Sequence, residues 1–197
     1  MTKAEFISKL RPTAIAVRNE IGFHHDLGMV QAAHESGYGS SGLSNPASQL
    51  EIRIGPTNDA PIVRTGPALN LFGFTAEPGT YWRSTKSSAG NREFVLMLTT
   101  EWVEKPVASD TVISGPNANG FYQVKRFRPF RVYKSWDESY RDWARLMQIP
   151  TYTNVGAPNA LRTGDLKAFA EAMRKAKYAT DPNYAAKLEK IGKEGFA

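Results

Sequence analysis

Cysteine is absent from this chain, which excludes disulfides and thiol chemistry and leaves the redox compartment open. Histidine is scarce: His24, His25 and His34 are the only three, and their spacing fits no zinc-binding pattern. No run approaches the roughly 18 to 20 apolar residues of a membrane span. The opening stretch, MTKAEFISKLRPTAIAVRNEIG, carries charges throughout and so does not read as a secretory signal. There is no G-x-S-x-G nucleophile elbow. The glycine-rich GYGSSG lacks the Lys-Ser/Thr ending of a phosphate loop and no strand precedes it, so nucleotide binding falls away. Internal repeats and low-complexity tracts are also missing.

What is present is ordinary in bulk. The 197 residues suffice for one well-buried core, and 41% apolar with 22% charged residues suits a globular domain. The formal charge of +6 favours a polyanionic partner such as a bacterial cell wall, an anionic membrane face or nucleic acid. The basic residues are scattered along the chain, which reads as long-range steering and not as a nucleic-acid footprint.

One short stretch stands out. AAHESGYGSSG, residues 32 to 42, sets Glu35 between a run of small residues and a glycine-rich break, with no Lys or Arg within five residues on either side. Asp26 is the expected N-cap of the helix that ends there, with Leu27, Val30 and Ala33 on its buried stripe. Glu35 falls eight residues after Leu27, about 80° around the helix. That puts it at the border of the apolar face in the last turn. Desolvation and the negative helix end both disfavour its anion there, so the carboxyl is suited to keep its proton near neutral pH.

Elsewhere the pattern is coarse. Phe6, Leu10, Ile15 and Val17 predict a first helix that Pro12 interrupts or restarts and Gly22 ends. Residues 44 to 66, with three prolines and two glycines, read as a long surface excursion containing a short strand at LEIRI. REFVLMLTTEWVE and GFYQVKRFRPFRVY flank SGPNANG and predict a β-hairpin, with Pro129 placing the second strand at an edge or at its end. Ser135 and Glu138 form a capping box ahead of Trp136, Tyr140, Trp143 and Met147. Leu166, Phe169, Ala170 and Met173 mark another helix, and a last one follows with Asp181 as N-cap and Pro182 at its first position. One domain over 1–197, α+β and mostly helical with a hairpin inserted, is the expected organisation.

Carboxylates are the chemistry left standing. Glycoside hydrolysis needs a protonated acid on the leaving oxygen and usually a second carboxylate for water or for the sugar. Glu35 is the candidate acid. Glu101 and Glu104 in the hairpin are candidates for the second, with Glu93 behind them.

Taken in order, FISKLRPTAIAVRNEIGFHHDLGMVQAAHESGYGSSGLS, NLFGF, TTEW, FRVYKSWDESYRDWARLM and YATDPNYAAKL run over nearly the whole chain. Together they resemble a bacterial glucosaminidase domain of glycoside hydrolase family 73, the type found in autolysins, flagellar rod-cap hydrolases and phage lysins. The resemblance implies a lysozyme-like fold in which a β-hairpin forms one wall of a sugar cleft. It makes Glu35 the general acid, Glu101 of TTEW the second acid on the hairpin, and Tyr178 a catalytic residue lining the cleft. It further implies sugar contacts from Asn70, Phe72 and Gly73 of NLFG, from Trp102 and from Tyr184. The 44 to 66 excursion is longer than expected between ESG and NLFG, and Glu104 so close behind TTEW leaves room for a shifted hairpin register.

The implied activity is an endo-β-N-acetylglucosaminidase that cuts the β-1,4 bond after N-acetylglucosamine in peptidoglycan. No metal or organic cofactor is implied. A muramidase or lytic transglycosylase could use the same acid on the same polymer, and a non-catalytic wall-binding module would keep the aromatics without needing Glu35. The expected setting is a monomer made in the cytoplasm without a signal peptide, which reaches the wall by phage lysis or a secretion system.

Overall fold

The helical and the strand-forming segments sort into two compact units in a computed structural model of the chain, which describes residues 1–55, 60–76, 93–178 and 183–196. The first unit comprises Met1–Ser48, Pro67–Gly73 and Tyr133–Ala197, and the second comprises Gln49–Gly66 and Phe74–Val132.

The first unit is helical. Helix α1, Lys3–Ile21, starts at a capping box in which the Thr2 hydroxyl accepts from the Glu5 N–H and the Glu5 carboxylate accepts from the Thr2 N–H. Gly22 closes it in a left-handed conformation, φ 77°. Pro12 lies inside α1 without interrupting it, contrary to the sequence expectation. The buried face is Phe6, Leu10, Ala14 and Val17, whereas Ile15 is 42% exposed. The reason is angular: Ala14 lies about 40° from Leu10 around the helix, and Ile15 about 140°.

Helix α2, His25–Ser36, is buried on nearly every side. Its N-cap is His24, with no side-chain cap, and the predicted cap Asp26 sits in the first turn instead. Gly28 admits close packing with helix α3, Trp136–Leu146, since a Cβ there would come within 2.0 Å of the Tyr140 hydroxyl. The predicted α3 stripe of Trp136, Tyr140, Trp143 and Met147 is buried throughout. Ser135 caps the Glu138 N–H as expected, while the Glu138 carboxylate reaches past Ser135 to the Lys134 N–H. Two short helices that periodicity did not reveal follow, α4 at Pro150–Thr153 and α5 at Ala157–Thr163. Helix α6, Leu166–Lys175, buries Phe169, Ala170 and Met173 as predicted. Helix α7 runs Tyr184–Lys193 from Asn183, and the expected cap Asp181 and Pro182 lie outside the described residues.

The second unit is a five-stranded antiparallel sheet in the order β2-β1-β3-β5-β4. LEIRI forms β1, Leu50–Ile54, as predicted, but it pairs with a strand the sequence reading missed, β2 at Ile62–Gly66. Leu50–Ile54 and Ile62–Gly66 of the 44 to 66 excursion therefore belong to the sheet and not to a surface loop. Strands β3, Glu93–Val103, and β5, Tyr122–Arg131, pair along their length. SGPNANG does not join them directly; it leads from β4, Thr111–Ser114, into β5. Asn117 closes that turn, its side-chain oxygen accepting from the Asn119 and Phe121 N–H groups. Strand β5 runs on through Pro129, because β4 pairs only as far as Lys125 and the Pro129 carbonyl accepts from the Ala76 N–H. No helix among the described residues is long and apolar enough to cross a membrane.

Candidate active site

Glu35 occupies the last turn of α2, one residue before Ser36 and two before the left-handed Gly37, φ 56°. The glycine lets the chain leave the helix at once and turns the backbone away from the carboxyl. The hydroxyl of Tyr184, itself 2% exposed at the start of α7, donates to Glu35 Oε1 at 3.2 Å. Burial pushes the Glu35 carboxyl up to about 7, and the Tyr184 hydrogen bond pulls weakly the other way. No cationic side chain among the described residues counters that burial.

The surroundings are phenolic. Tyr178, just past α6, donates its hydroxyl to the Phe72 carbonyl at 3.1 Å. Burial holds the Tyr178 phenol well above its ordinary range, and the negative charge of Glu35 adds to the effect. Tyr184 is raised by the same two causes. Tyr152 packs edge-on against Tyr178 with centroids 6.5 Å apart, and His34 packs edge-on against Tyr184 at 5.3 Å. A carboxyl raised to about 7 beside a neutral phenol keeps a large protonated fraction at neutral pH yet ionises without losing a salt bridge, which is what a general acid requires.

The NLFG segment is arranged differently from the expectation of direct sugar contacts. Asn70 and Phe72 are 1% and 2% exposed, and Phe72 stacks on Trp143 with ring centroids 5.4 Å apart. Their side chains hold the segment in the core, so what the segment presents outward is main chain and the exposed Gly73, which sits at φ 63°. Tyr184 likewise differs from the sugar contact first expected: its hydroxyl is engaged with the acid.

In the second unit, Glu101 lies on β3 opposite Val124 and forms an ion pair with Arg128 at 3.3 Å. Trp102 is on the other face of the strand and 51% exposed, so it cannot wall the same side of the sheet as Glu101. Glu104 falls beyond the end of β3 in an exposed bend, outside the reach of strand alternation. Glu93 forms a two-point ion pair with Arg64, at 3.2 and 2.6 Å, which accounts for it structurally.

His24, His25 and Asp26 form the one group among the described residues dense enough for a metal ion, with ligand atoms within 4.8 Å of one another. It sits at the N-terminal end of α2, where the helix dipole disfavours a cation, and Arg18 approaches His25 Nδ1 at 3.3 Å. It is also about 14 Å along the helix axis from Glu35. Sequence reasoning overlooked the role of Tyr184 and a polar residue buried in α2, Gln31. The signal for the latter was a lone Gln four residues before the acid, inside the otherwise apolar run Leu27 to Ala33.

The architecture is an α+β, lysozyme-like one. A peptidoglycan hydrolase mutant from Sphingomonas sp. A1 shares it with a TM-score of 0.59 at 26% identity, over 97% of this chain and 92% of that one. More narrowly, the chain belongs to the glucosaminidase family, described as mannosyl-glycoprotein endo-beta-N-acetylglucosaminidase, whose model matches residues 11–194. Among curated relatives, the peptidoglycan hydrolase FlgJ of Vibrio cholerae is 27% identical over 191 residues, which is 96% of this chain and 43% of that protein. A probable N-acetylmuramidase of Lactococcus lactis is 28% identical over 192 residues, covering 94% of this chain and 32% of that protein. The chain thus spans less than half the length of these curated relatives.

Proposed function

We propose that this protein is a peptidoglycan hydrolase, an endo-β-N-acetylglucosaminidase that cleaves the β-1,4 bond after N-acetylglucosamine in the glycan strand. The observation that carries the reading is Glu35, a carboxyl pushed up to about 7 by burial at a helix end and faced by the Tyr184 hydroxyl. Membership of the glucosaminidase family and relatives named peptidoglycan hydrolases support the substrate class. Glu35 donates its proton to the glycosidic oxygen as the bond to the anomeric carbon breaks. Glu101 serves as the second carboxylate, either activating water or stabilising the intermediate formed by the acetamido group of the substrate. Tyr178 lines the cleft near the acid. The enzyme works as a monomer on the cell wall, outside the cytoplasm.

A muramidase reading is the second, favoured by the relative named a probable N-acetylmuramidase. Mass spectrometry of digested peptidoglycan separates the two. Reducing N-acetylglucosamine ends are expected. Reducing N-acetylmuramic acid ends would make the protein a muramidase, and anhydro-muramic ends a lytic transglycosylase. Binding to sacculi without any new ends would leave only a wall-binding module.

A further inference from the structure

Gln31 is 0% exposed, one helical turn before Glu35 on α2, and every polar atom of its amide is engaged. Trp143 Nε1 donates to Gln31 Oε1 at 2.8 Å. Gln31 Nε2 donates to the Tyr184 hydroxyl at 3.0 Å and lies 3.8 Å from Met173 Sδ. The Tyr184 hydroxyl in turn donates to Glu35 Oε1 at 3.2 Å.

The direction of this chain is not arbitrary. An indole N–H can only donate, so the oxygen of the Gln31 amide must face Trp143 and its nitrogen must face Tyr184. An amide nitrogen can only donate, so the Tyr184 oxygen accepts from it, and the phenolic proton is left for Glu35. Glu35 Oε1 is thereby filled as an acceptor, and Oε2 has no hydrogen-bond partner among the described residues. A neutral Glu35 therefore carries its proton on Oε2, the oxygen that no described residue claims.

We infer that Gln31, locked by Trp143, is a positioning residue that sets the Tyr184 hydroxyl to donate to one oxygen of Glu35 and so holds the catalytic proton on the other. The inference rests on the proposed role of Glu35 as general acid. Gln31 cannot touch substrate, because it has no accessible surface. Its effect passes through Tyr184. The titratable groups facing Glu35 from packed elements are Tyr184 on α7 and Tyr178 after α6, with Tyr152 and Tyr133 acting on those tyrosines and His34 lying against Tyr184. With Gln31 removed, the Tyr184 hydroxyl is free to turn, its bond to the Glu35 anion weakens, and the acid holds its proton to higher pH.

The test combines Gln31→Met, Tyr184→Phe and the double variant, each checked for folding by circular dichroism. Carbon-13 NMR titration of the Glu35 carboxyl reads the coupling without substrate, and the pH dependence of kcat and KM on peptidoglycan reads its use. Both single variants should shift the Glu35 titration and the alkaline limb upward by several tenths of a pH unit or more. Each should lower kcat severalfold and leave KM within about twofold. The double variant should shift no further than Tyr184→Phe alone. A Gln31→Met protein that folds and titrates like wild type would overturn the inference, as would shifts that add in the double variant. If the titration shifts as expected but wild-type protein and Glu35→Gln are equally inactive on peptidoglycan, the coupling holds and the proposed general-acid role fails.

Discussion

The Tyr184 hydroxyl lies 3.2 Å from Glu35 Oε1, joining the first turn of α7 to the last turn of α2 in a surrounding that otherwise desolvates the acid. Substituting the acid should separate function from stability. Glu35→Gln removes the proton donor at constant size, so peptidoglycan turnover should fall by about 10² to 10⁴-fold, as loss of a general acid does. Turbidity clearing close to wild type by a folded variant would exclude Glu35 as the acid.

The same substitution has a pH signature in stability. Glu35 holds its proton up to about 7 in the folded chain, against an ordinary value of 4.5. The folded state therefore binds the extra proton between those values. Stability falls as pH rises through that window and levels off above it, by roughly 3 kcal/mol before a reduction for the partial exposure of the side chain. Glu35→Gln should match wild type in urea denaturation at pH 5 and exceed it at pH 8. An equal difference at both pH values would show that the carboxyl is not desolvated.

Glu101→Gln should reduce turnover more than Glu104→Gln. Glu101 is held on β3 by its ion pair with Arg128, while Glu104 sits in an exposed bend after the strand ends. Parallel assays of both variants on purified sacculi check this. A dead Glu104→Gln beside an active Glu101→Gln would move the second acid out of the strand.

Gly28→Ala should be destabilising by about 1 to 3 kcal/mol, because the new Cβ would meet the Tyr140 hydroxyl at 2.0 Å and the Trp143 ring at 2.8 Å. Since α2 carries Glu35 as well, kcat should also drop. A midpoint shift in urea without a change in slope is the expected trace.

Added salt should slow clearing of whole cell walls much more than cleavage of a short neutral glycan. The formal charge of +6 attracts the protein to an anionic polymer, and screening acts over about 8 Å at physiological ionic strength. Equal sensitivity on both substrates would place the salt effect in the site or in the fold.

Local physics made much of the chain legible before folding. The Glu35 position followed from helical arithmetic and a glycine stop, and the α3 stripe from spacing behind a serine cap, because such features depend only on neighbours a turn or two away. Strand β2 was hidden, since IVRTG has an exposed burial pattern and becomes a strand only by pairing with β1. The turn SGPNANG was visible, but which strands it joins depends on pairing partners distant in sequence. Ile15 and Ala14 could not be ranked by hydrophobicity, because the packing angle of α1 decides which one is covered. The Trp143–Gln31–Tyr184–Glu35 chain lay furthest from reach. Its members are separated by up to 153 residues in sequence, and the direction of each hydrogen bond exists only once α2, α3 and α7 are packed together.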